Sequence, residues 1–172
     1  MMDKFKVQYY ERNRVNHINP LLGAHRKYIL FPNDNAVTST LINNIVYEPY
    51  LFWFLSDNLI DLTGTDVLDI GANNGHFTVE FAHYVGNEGR VFAFEPQRII
   101  HQQLCGNIFL NGLDNVYTYN MALGDQKGDI YMQKPNYFDS GYVNFGDIHV
   151  TDSKIDSEIV HMEKLDNFEF TN

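Results

Sequence analysis

The stretch Val67-Leu-Asp-Ile-Gly-Ala-Asn-Asn-Gly-His76 decides the fold of this 172-residue chain. Residues 67–70 form a short apolar run closed by Gly71, which is typical of a buried parallel strand. A helix is predicted over residues 74–85, because apolar side chains recur there at intervals of four. A glycine directly after a buried strand lets the backbone turn sharply and approach a ligand closely. The second glycine, Gly75, opens the helix, whose free N–H groups face the same crevice.

The alternation of strands and helices continues to residue 122. Residues 91–94 predict a second buried strand, and residues 97–110 predict a helix with apolar side chains on one face. Residues 116–122 predict a third strand. Strand–helix–strand–helix–strand with short connections indicates right-handed crossovers and a parallel sheet covered on both faces.

The regions on either side of this unit have a different character. Residues 48–60 predict a helix that is apolar on nearly every side, and we expect it to be buried. Residues 126–172 are polar with isolated aromatics, which favours antiparallel or irregular structure. We therefore divide the chain into an N-terminal extension, residues 1–45, and a domain, residues 46–172, whose ligand-binding half is residues 66–125.

Composition excludes several classes of protein. The net charge is −10, and the basic residues concentrate in residues 1–27, so the body of the chain repels nucleic acid. No apolar run approaches the roughly 20 residues that a membrane helix needs. The single cysteine, Cys105, excludes a disulfide framework and a cysteine-rich zinc site, and no His, Asp or Glu cluster has metal-ligand spacing. We expect a soluble, cytoplasmic protein without a metal.

The spacing of the polar residues indicates the kind of ligand. A dinucleotide fingerprint needs glycine where this chain has Asn73, and Asp69 adds negative charge where a diphosphate would bind. Both features favour a ligand that carries a cation. Glu95 ends the second strand, 20 residues after Gly75. A carboxylate at this point can accept hydrogen bonds from both ribose hydroxyls of a nucleoside.

Three motifs together resemble the FkbM family of class I S-adenosylmethionine-dependent methyltransferases. They are Val67-Leu-Asp-Ile-Gly-Ala-Asn-Asn-Gly-His-Phe77, Val91-Phe-Ala-Phe-Glu-Pro96 and Asn120-Met-Ala-Leu-Gly-Asp125. The segment from Leu104 to Gly112 is also similar to the family. The resemblance implies an α/β fold with a Rossmann-like class I methyltransferase sheet, in which three parallel strands have flanking helices. It implies O-methylation of a hydroxyl on a sugar or small-molecule acceptor.

The resemblance also implies a site for S-adenosylmethionine, with eight residues at matching positions: Asp69, Gly71, Ala72, Asn73, Gly75, Glu95, Asn120 and Ala122. The glycine loop would line the methionine part, and Asp69 would support the loop or bind the ammonium group. Glu95 would bind the ribose. Asn120 and Ala122 would flank the adenine, although a strand end leading into a turn explains them equally well.

The sequence assigns no catalytic residue. His76 follows the loop directly, and the unperturbed pKa of a histidine would suit a general base, but a polar residue in an exposed first helical turn is the simpler interpretation. Glu48 matches an acid of the family, but a carboxylate at a helix N-terminus accounts for it more simply.

The resemblance covers about residues 45–125. Family members continue past the position of residues 160–166 into a fourth parallel strand that this chain lacks. We therefore expect a fragment or a reduced member that lacks the later strands, with the strand at residues 67–70 as a bare edge. Residues 128–170, a second copy of the chain or another partner would have to cover it. Two alternatives remain: a catalytically inactive module for S-adenosylmethionine binding or interaction, and an NAD-dependent oxidoreductase, which Asn73 and Asp69 disfavour.

Overall fold

A computed structural model describes residues 8–12, 25–43, 45–138 and 141–170. The described residues form eight strands and four α-helices, with two short 3-10 turns near the C-terminus. In chain order the elements are β1 (Gln8–Arg12), β2 (Arg26–Leu30), α1 (Val37–Ile42), α2 (Tyr50–Asp57), β3 (Asp66–Ile70), α3 (His76–Val85), β4 (Arg90–Phe94), α4 (Arg98–Leu110), β5 (Val116–Tyr119), β6 (Ala122–Leu123), β7 (Gly128–Gln133) and β8 (Ser157–Glu163).

The central sheet is parallel and has the strand order β3-β4-β5. Its register aligns Ile70 with Phe94 and Phe94 with Tyr119, so the three carboxyl ends lie side by side. This confirms the predicted parallel α/β unit. β4 is buried on both faces, as its apolar run predicts, and α3 and α4 connect the three parallel strands.

Both connecting helices lie on one face of this sheet, so among the described residues the predicted cover is complete on that face and only partial on the other. Side chains alternate along a strand, and Val67, Val91 and Val116 pack with residues of α3. The opposite face carries Ile70, which is 57% exposed. Phe168 and Phe170 cover only part of that face through ring contacts with Phe94, Tyr119 and Phe92. Two crossovers of the same hand in the same direction place both helices on the same side.

The third strand is shorter than predicted. β5 ends at Tyr119, because the Asn120 side chain turns back and donates hydrogen bonds to the carbonyl oxygens of Glu95 and Pro96 at 2.9 and 3.0 Å. The chain then enters a second sheet with the order β6-β8-β7, in which β7 and β8 are antiparallel. The antiparallel character expected after residue 126 is confirmed for these two strands.

The outer edge of β3 has no strand partner among the described residues, because β3 pairs only with β4. The second sheet therefore does not provide the cover that residues 128–170 could have given. The predicted bare edge is present in the described part of the chain.

The N-terminal hairpin packs against the helices. β1 and β2 are antiparallel, and Tyr28 and Leu30 form a core cluster with Leu41 of α1 and Val79 of α3. Three of the six basic residues in residues 1–27, namely Lys4, Lys6 and Arg14, lie outside the described residues. None of the helices in the described ranges has the length and apolar character needed to span a bilayer.

Helix α2 is shorter and more exposed than predicted. It covers Tyr50–Asp57 rather than residues 48–60, and only Phe52 and Leu55 are buried. Phe52 packs against Phe77 and Phe81 of α3, whereas Phe54 is 58% exposed. The expectation of burial on every side is wrong, because the described residues offer the helix only one apolar surface.

Candidate functional site

The loop at residues 71–75 turns the chain from β3 into α3 at the carboxyl edge of the sheet. The N–H groups of Gly71 and Ala72 both donate to the carbonyl oxygen of Phe94, at 2.9 and 3.0 Å. Three loop residues have left-handed backbone angles: Gly71 (φ 83°), Asn73 (φ 50°) and Gly75 (φ 85°). Side chains with a Cβ rarely adopt this region, so the two glycines are required by the turn itself. Clustered unusual backbone angles are typical of functional loops.

The loop forms one wall of a pocket of about 250 Å³. Gly71, Ala72, Asn73 and Asn74 line it on the side of the sheet. The first turn of α3 adds His76 and Phe77. Segments from elsewhere in the chain form the other walls, and their lining residues are Val37, Tyr47, Glu48, Asn144 and Gly146. A pocket at the carboxyl ends of parallel strands is the usual ligand site of this architecture.

Glu95 lies directly behind the loop and is 3% exposed. One carboxylate oxygen accepts the N–H of Asn73 at 2.9 Å, and the other accepts the N–H of Gln97 at 2.8 Å. Burial raises the pKa of Glu95 to about 7; the two N–H donors oppose this shift, and the nearby charge of Asp69 adds to it. A second interpretation of the sequence, in which Glu95 is a solvent-facing strand end, is therefore wrong.

Asp69 lies beneath the loop and does not line the pocket. It accepts a hydrogen bond from the hydroxyl of Thr78 in α3. Burial raises its pKa, and the Thr78 hydrogen bonds counteract the rise. Asp69 therefore links β3 to α3, which favours its role as a support of the loop over direct contact with a ligand.

His76 is 2% exposed, so the interpretation as an exposed residue of the first helical turn is wrong. Its ring lies 5.1 Å from the ring of Phe77 and 6.4 Å from that of Tyr28, measured between centroids. The burial comes from β2, which is distant in sequence and carries no local signal near residue 76. His76 also lines the pocket.

The last two predicted residues lie in different surroundings. Asn120 is next to Glu95 through the hydrogen bond to its carbonyl oxygen, at the carboxyl edge of the sheet. Ala122 lies in β6, where it pairs with Met162 of β8. Glu95, Asn120 and Ala122 all lie outside the lining of the pocket, but Glu95 and Asn120 are joined to the loop by hydrogen bonds. The structure thus brings together the loop, Glu95 and Asn120, but not Ala122.

Sequence reasoning missed the segment that closes the pocket on its C-terminal side. Gln97 donates to the carbonyl oxygen of Phe145 at 2.7 Å, and Val143 bonds through its backbone to Asn33 and Asn35. These contacts hold Asn144 over the loop. They join residues far apart in sequence, so no local pattern could have indicated them. The sequence suggests no role for Glu48 beyond a carboxylate at a helix N-terminus. In the structure Glu48 lines the pocket and has a left-handed φ of 47°.

Comparison with known proteins identifies the family. The model of the "Methyltransferase FkbM domain" matches residues 69–172, more than half of the chain. The chain therefore belongs to the FkbM methyltransferase family, and its cofactor is S-adenosylmethionine. No curated protein matches significantly.

Several solved structures are similar over parts of their length. A protein-L-isoaspartate O-methyltransferase is 28% identical over 42% of this chain and 23% of its own, with a TM-score of 0.39. An S-adenosylmethionine-dependent O-methyltransferase from Thermotoga maritima is 25% identical over 56% of this chain and 37% of its own, with a TM-score of 0.40. An S-adenosylmethionine-dependent methyltransferase from Aquifex aeolicus is 23% identical, covering 43% and 38%, with a TM-score of 0.37. The aligned part is 23–38% of the length of these three structures.

Proposed function

We propose that this chain methylates a hydroxyl group of a sugar or another small acceptor, with S-adenosylmethionine as the methyl donor. The observation that carries the proposal is the open turn at Gly71. A Cβ built on Gly71 meets no heavy atom within 4 Å, so a ligand can approach the backbone there. The turn lies beside the buried carboxylate of Glu95, which contacts the loop through the N–H of Asn73.

The residues present fit the cofactor. Gly71, Ala72 and Asn73 would hold its amino-acid end, and Gly75 would keep the loop in its turn. A carboxylate offers about four lone-pair positions, of which two on Glu95 accept backbone N–H groups. The remaining two suit the two hydroxyls of a ribose. Glu95 would therefore bind the loop and the ribose at the same time.

The outer positions of the site follow from the same arrangement. Asn120 would flank the adenine, because its side chain lies at the carbonyl group of Glu95. Ala122 would reach the adenine only if β6 moved from its pairing with β8. We therefore give Ala122 less weight than Asn120 as a neighbour of the adenine. Asp69 would act indirectly, by fixing α3 through Thr78.

The bound cofactor supplies a methyl group on a positively charged sulfur. As the new O–C bond forms and the S–C bond breaks, the acceptor hydroxyl must lose its proton. The protein has to hold the acceptor oxygen in line with that bond and accept the proton. Tyr47, Glu48 and His76 are the titratable side chains in the lining of the pocket. Burial raises the pKa of Tyr47, so Glu48 and His76 are our candidates for the proton acceptor.

We propose a small acceptor rather than nucleic acid, because a net charge of −10 repels phosphate chains. We also place this chemistry in the cytoplasm. A second copy of the chain or another partner would cover the edge of β3.

Calorimetric titration with S-adenosylhomocysteine, with NAD as a control ligand, tests the cofactor site. We expect saturable binding of S-adenosylhomocysteine alone. Gly71→Val should abolish binding, because its side chain would extend into the pocket. Gly112→Val is the matched control: Gly112 also has a left-handed φ, 65°, and open space around it, but it ends α4 away from the pocket. Glu95→Ala should weaken binding by at least tenfold.

The outcomes separate the candidate functions. Binding together with release of S-adenosylhomocysteine from S-adenosylmethionine and a hydroxyl acceptor would support the enzyme. Binding without turnover on any acceptor would favour the inactive module. NAD binding without S-adenosylhomocysteine binding would refute the proposal, and unchanged affinity in Glu95→Ala would remove the ribose assignment.

A further inference from the structure

Three amide side chains on α4 hold the backbone of β2. Gln103, Asn107 and Asn111 are spaced by four residues and therefore lie on one stripe of the helix. Asn107 Oδ1 accepts the N–H of Ile29 at 2.6 Å, and Gln103 donates to the carbonyl oxygen of Ile29 at 2.8 Å. Asn111 accepts the N–H of Lys27 at 3.0 Å and donates to its carbonyl oxygen at 2.7 Å. This stripe satisfies backbone groups of β2 that β1 leaves open.

Asn107 differs from Asn111 in one contact. Its Nδ2 atom donates to the carbonyl oxygen of Asn74 at 2.7 Å, so one buried amide joins β2 to the glycine loop. Asn107 is 0% exposed. Asn111 makes its second contact with the carbonyl oxygen of Asn107 within α4 and does not reach the loop.

The loop needs this support because of its backbone. Asn74 lies between Asn73 and Gly75, which both have positive φ angles. Residues in such conformations persist only where their surroundings fix them. The side chain of Asn74 accepts the N–H of His76 at 3.1 Å, while Asn107 fixes its carbonyl group.

We propose that Asn107 is a positioning residue for the cofactor loop and couples that loop to β2. The inference rests on the proposed function, because the loop is taken to bind the cofactor. Through Asn107, β2 takes part in ligand binding. This strand lies outside residues 69–172, which the family model matches. Ligand binding at the loop and order in β2 are then reciprocal, since each stabilises the other through Asn107.

Asn107→Asp and Asn111→Asp provide a matched pair. Each replaces an amide N by an oxygen and keeps the acceptor for an N–H group of β2. We expect Asn107→Asp to weaken S-adenosylhomocysteine binding tenfold or more, because it removes the donor to the Asn74 carbonyl and places a buried carboxylate oxygen against it. Asn111→Asp should remain within twofold of the wild type, even if the two variants lose similar thermal stability. Equal affinities of folded Asn107→Asp and wild type would overturn the proposal.

Hydrogen exchange of the wild type gives a second test that does not depend on the folding of a variant. Saturating S-adenosylhomocysteine should slow exchange of the Ile29 N–H, which Asn107 accepts, more than that of the Lys27 N–H, which Asn111 accepts. Equal changes at the two amides, or none, would refute the coupling. A wild type that binds no S-adenosylhomocysteine would refute the proposed function itself, and the role of Asn107 with it.

Discussion

Replacing Glu95 by Gln removes a buried charge while keeping the shape of the side chain, and the effect on stability should depend on pH. In the folded protein the pKa of Glu95 is about 7, against an ordinary value of 4.5. The folded state therefore binds more protons than the unfolded state between these values. Stability attributable to Glu95 is fully present below pH 4.5 and is lost as the pH rises toward 7.

The size of this effect follows from the shift. At about 1.4 kcal/mol for each pKa unit, the whole shift corresponds to about 3 kcal/mol, most of it lost between pH 5 and pH 8. Glu95→Gln does not titrate, so this part of the pH dependence should disappear. The variant also places an NH₂ group against one of the two backbone N–H donors, which costs about 1–3 kcal/mol at every pH. Wild type should therefore be more stable than Glu95→Gln at pH 5. The difference in their free energies of unfolding should become smaller or change sign by pH 8.

Urea unfolding followed by circular dichroism, at half-unit steps from pH 5 to pH 8, measures both curves. Glu163→Gln is the control, because Lys127 and two further hydrogen-bond donors hold the pKa of Glu163 at about 2. Its titration lies below the range, so its curve should run parallel to that of the wild type. Parallel curves for wild type and Glu95→Gln would refute the reasoning that burial has raised the pKa of Glu95.

Two further substitutions test other parts of the fold. Gly75→Ala should be about 1–2 kcal/mol less stable than Gly71→Ala in thermal unfolding. Both glycines have left-handed φ angles, but a Cβ on Gly75 would lie 2.6 Å from Leu104 Cδ1 and crowd the core, whereas a Cβ on Gly71 would meet no atom within 4 Å. Equal losses of stability in the two variants would contradict the packing argument. Ile70 is exposed on the edge strand β3. Ile70→Lys should therefore reduce self-association measured by light scattering and change the free energy of unfolding by less than about 0.5 kcal/mol. Unchanged self-association would mean that β3 does not mediate the contact between copies of the chain.

The central unit could be predicted because its signals are local. β3 and β4 are short apolar runs that end at Gly71 and at Glu95-Pro96, and α3 and α4 have apolar side chains on one face. The ends of the elements were less accurate. The third strand was predicted to reach residue 122, but Asn120 ends it through bonds to the neighbouring strand. Such a bond depends on the sheet already being formed.

Burial was the least predictable property of the site. His76 is buried because β2 lies over it, and the aromatic side chains of α2 are exposed because only one surface faces that helix. Both outcomes depend on contacts between distant segments. The sequence indicated the glycine loop and Glu95, but not Asn107 or Asn144, whose roles arise only from three-dimensional proximity.

The walls of the pocket come from parts of the chain that are synthesised far apart. The hydrogen bond between Ile29 and Asn107 spans 78 residues, and that between Gln97 and Phe145 spans 48. The β3-β4-β5 sheet, by contrast, pairs strands that are neighbours in sequence. Because long loops are costly to close before their contacts form, the sheet should fold early and the pocket late. During synthesis, the nascent chain cannot complete its ligand site until residues beyond 145 have left the ribosome.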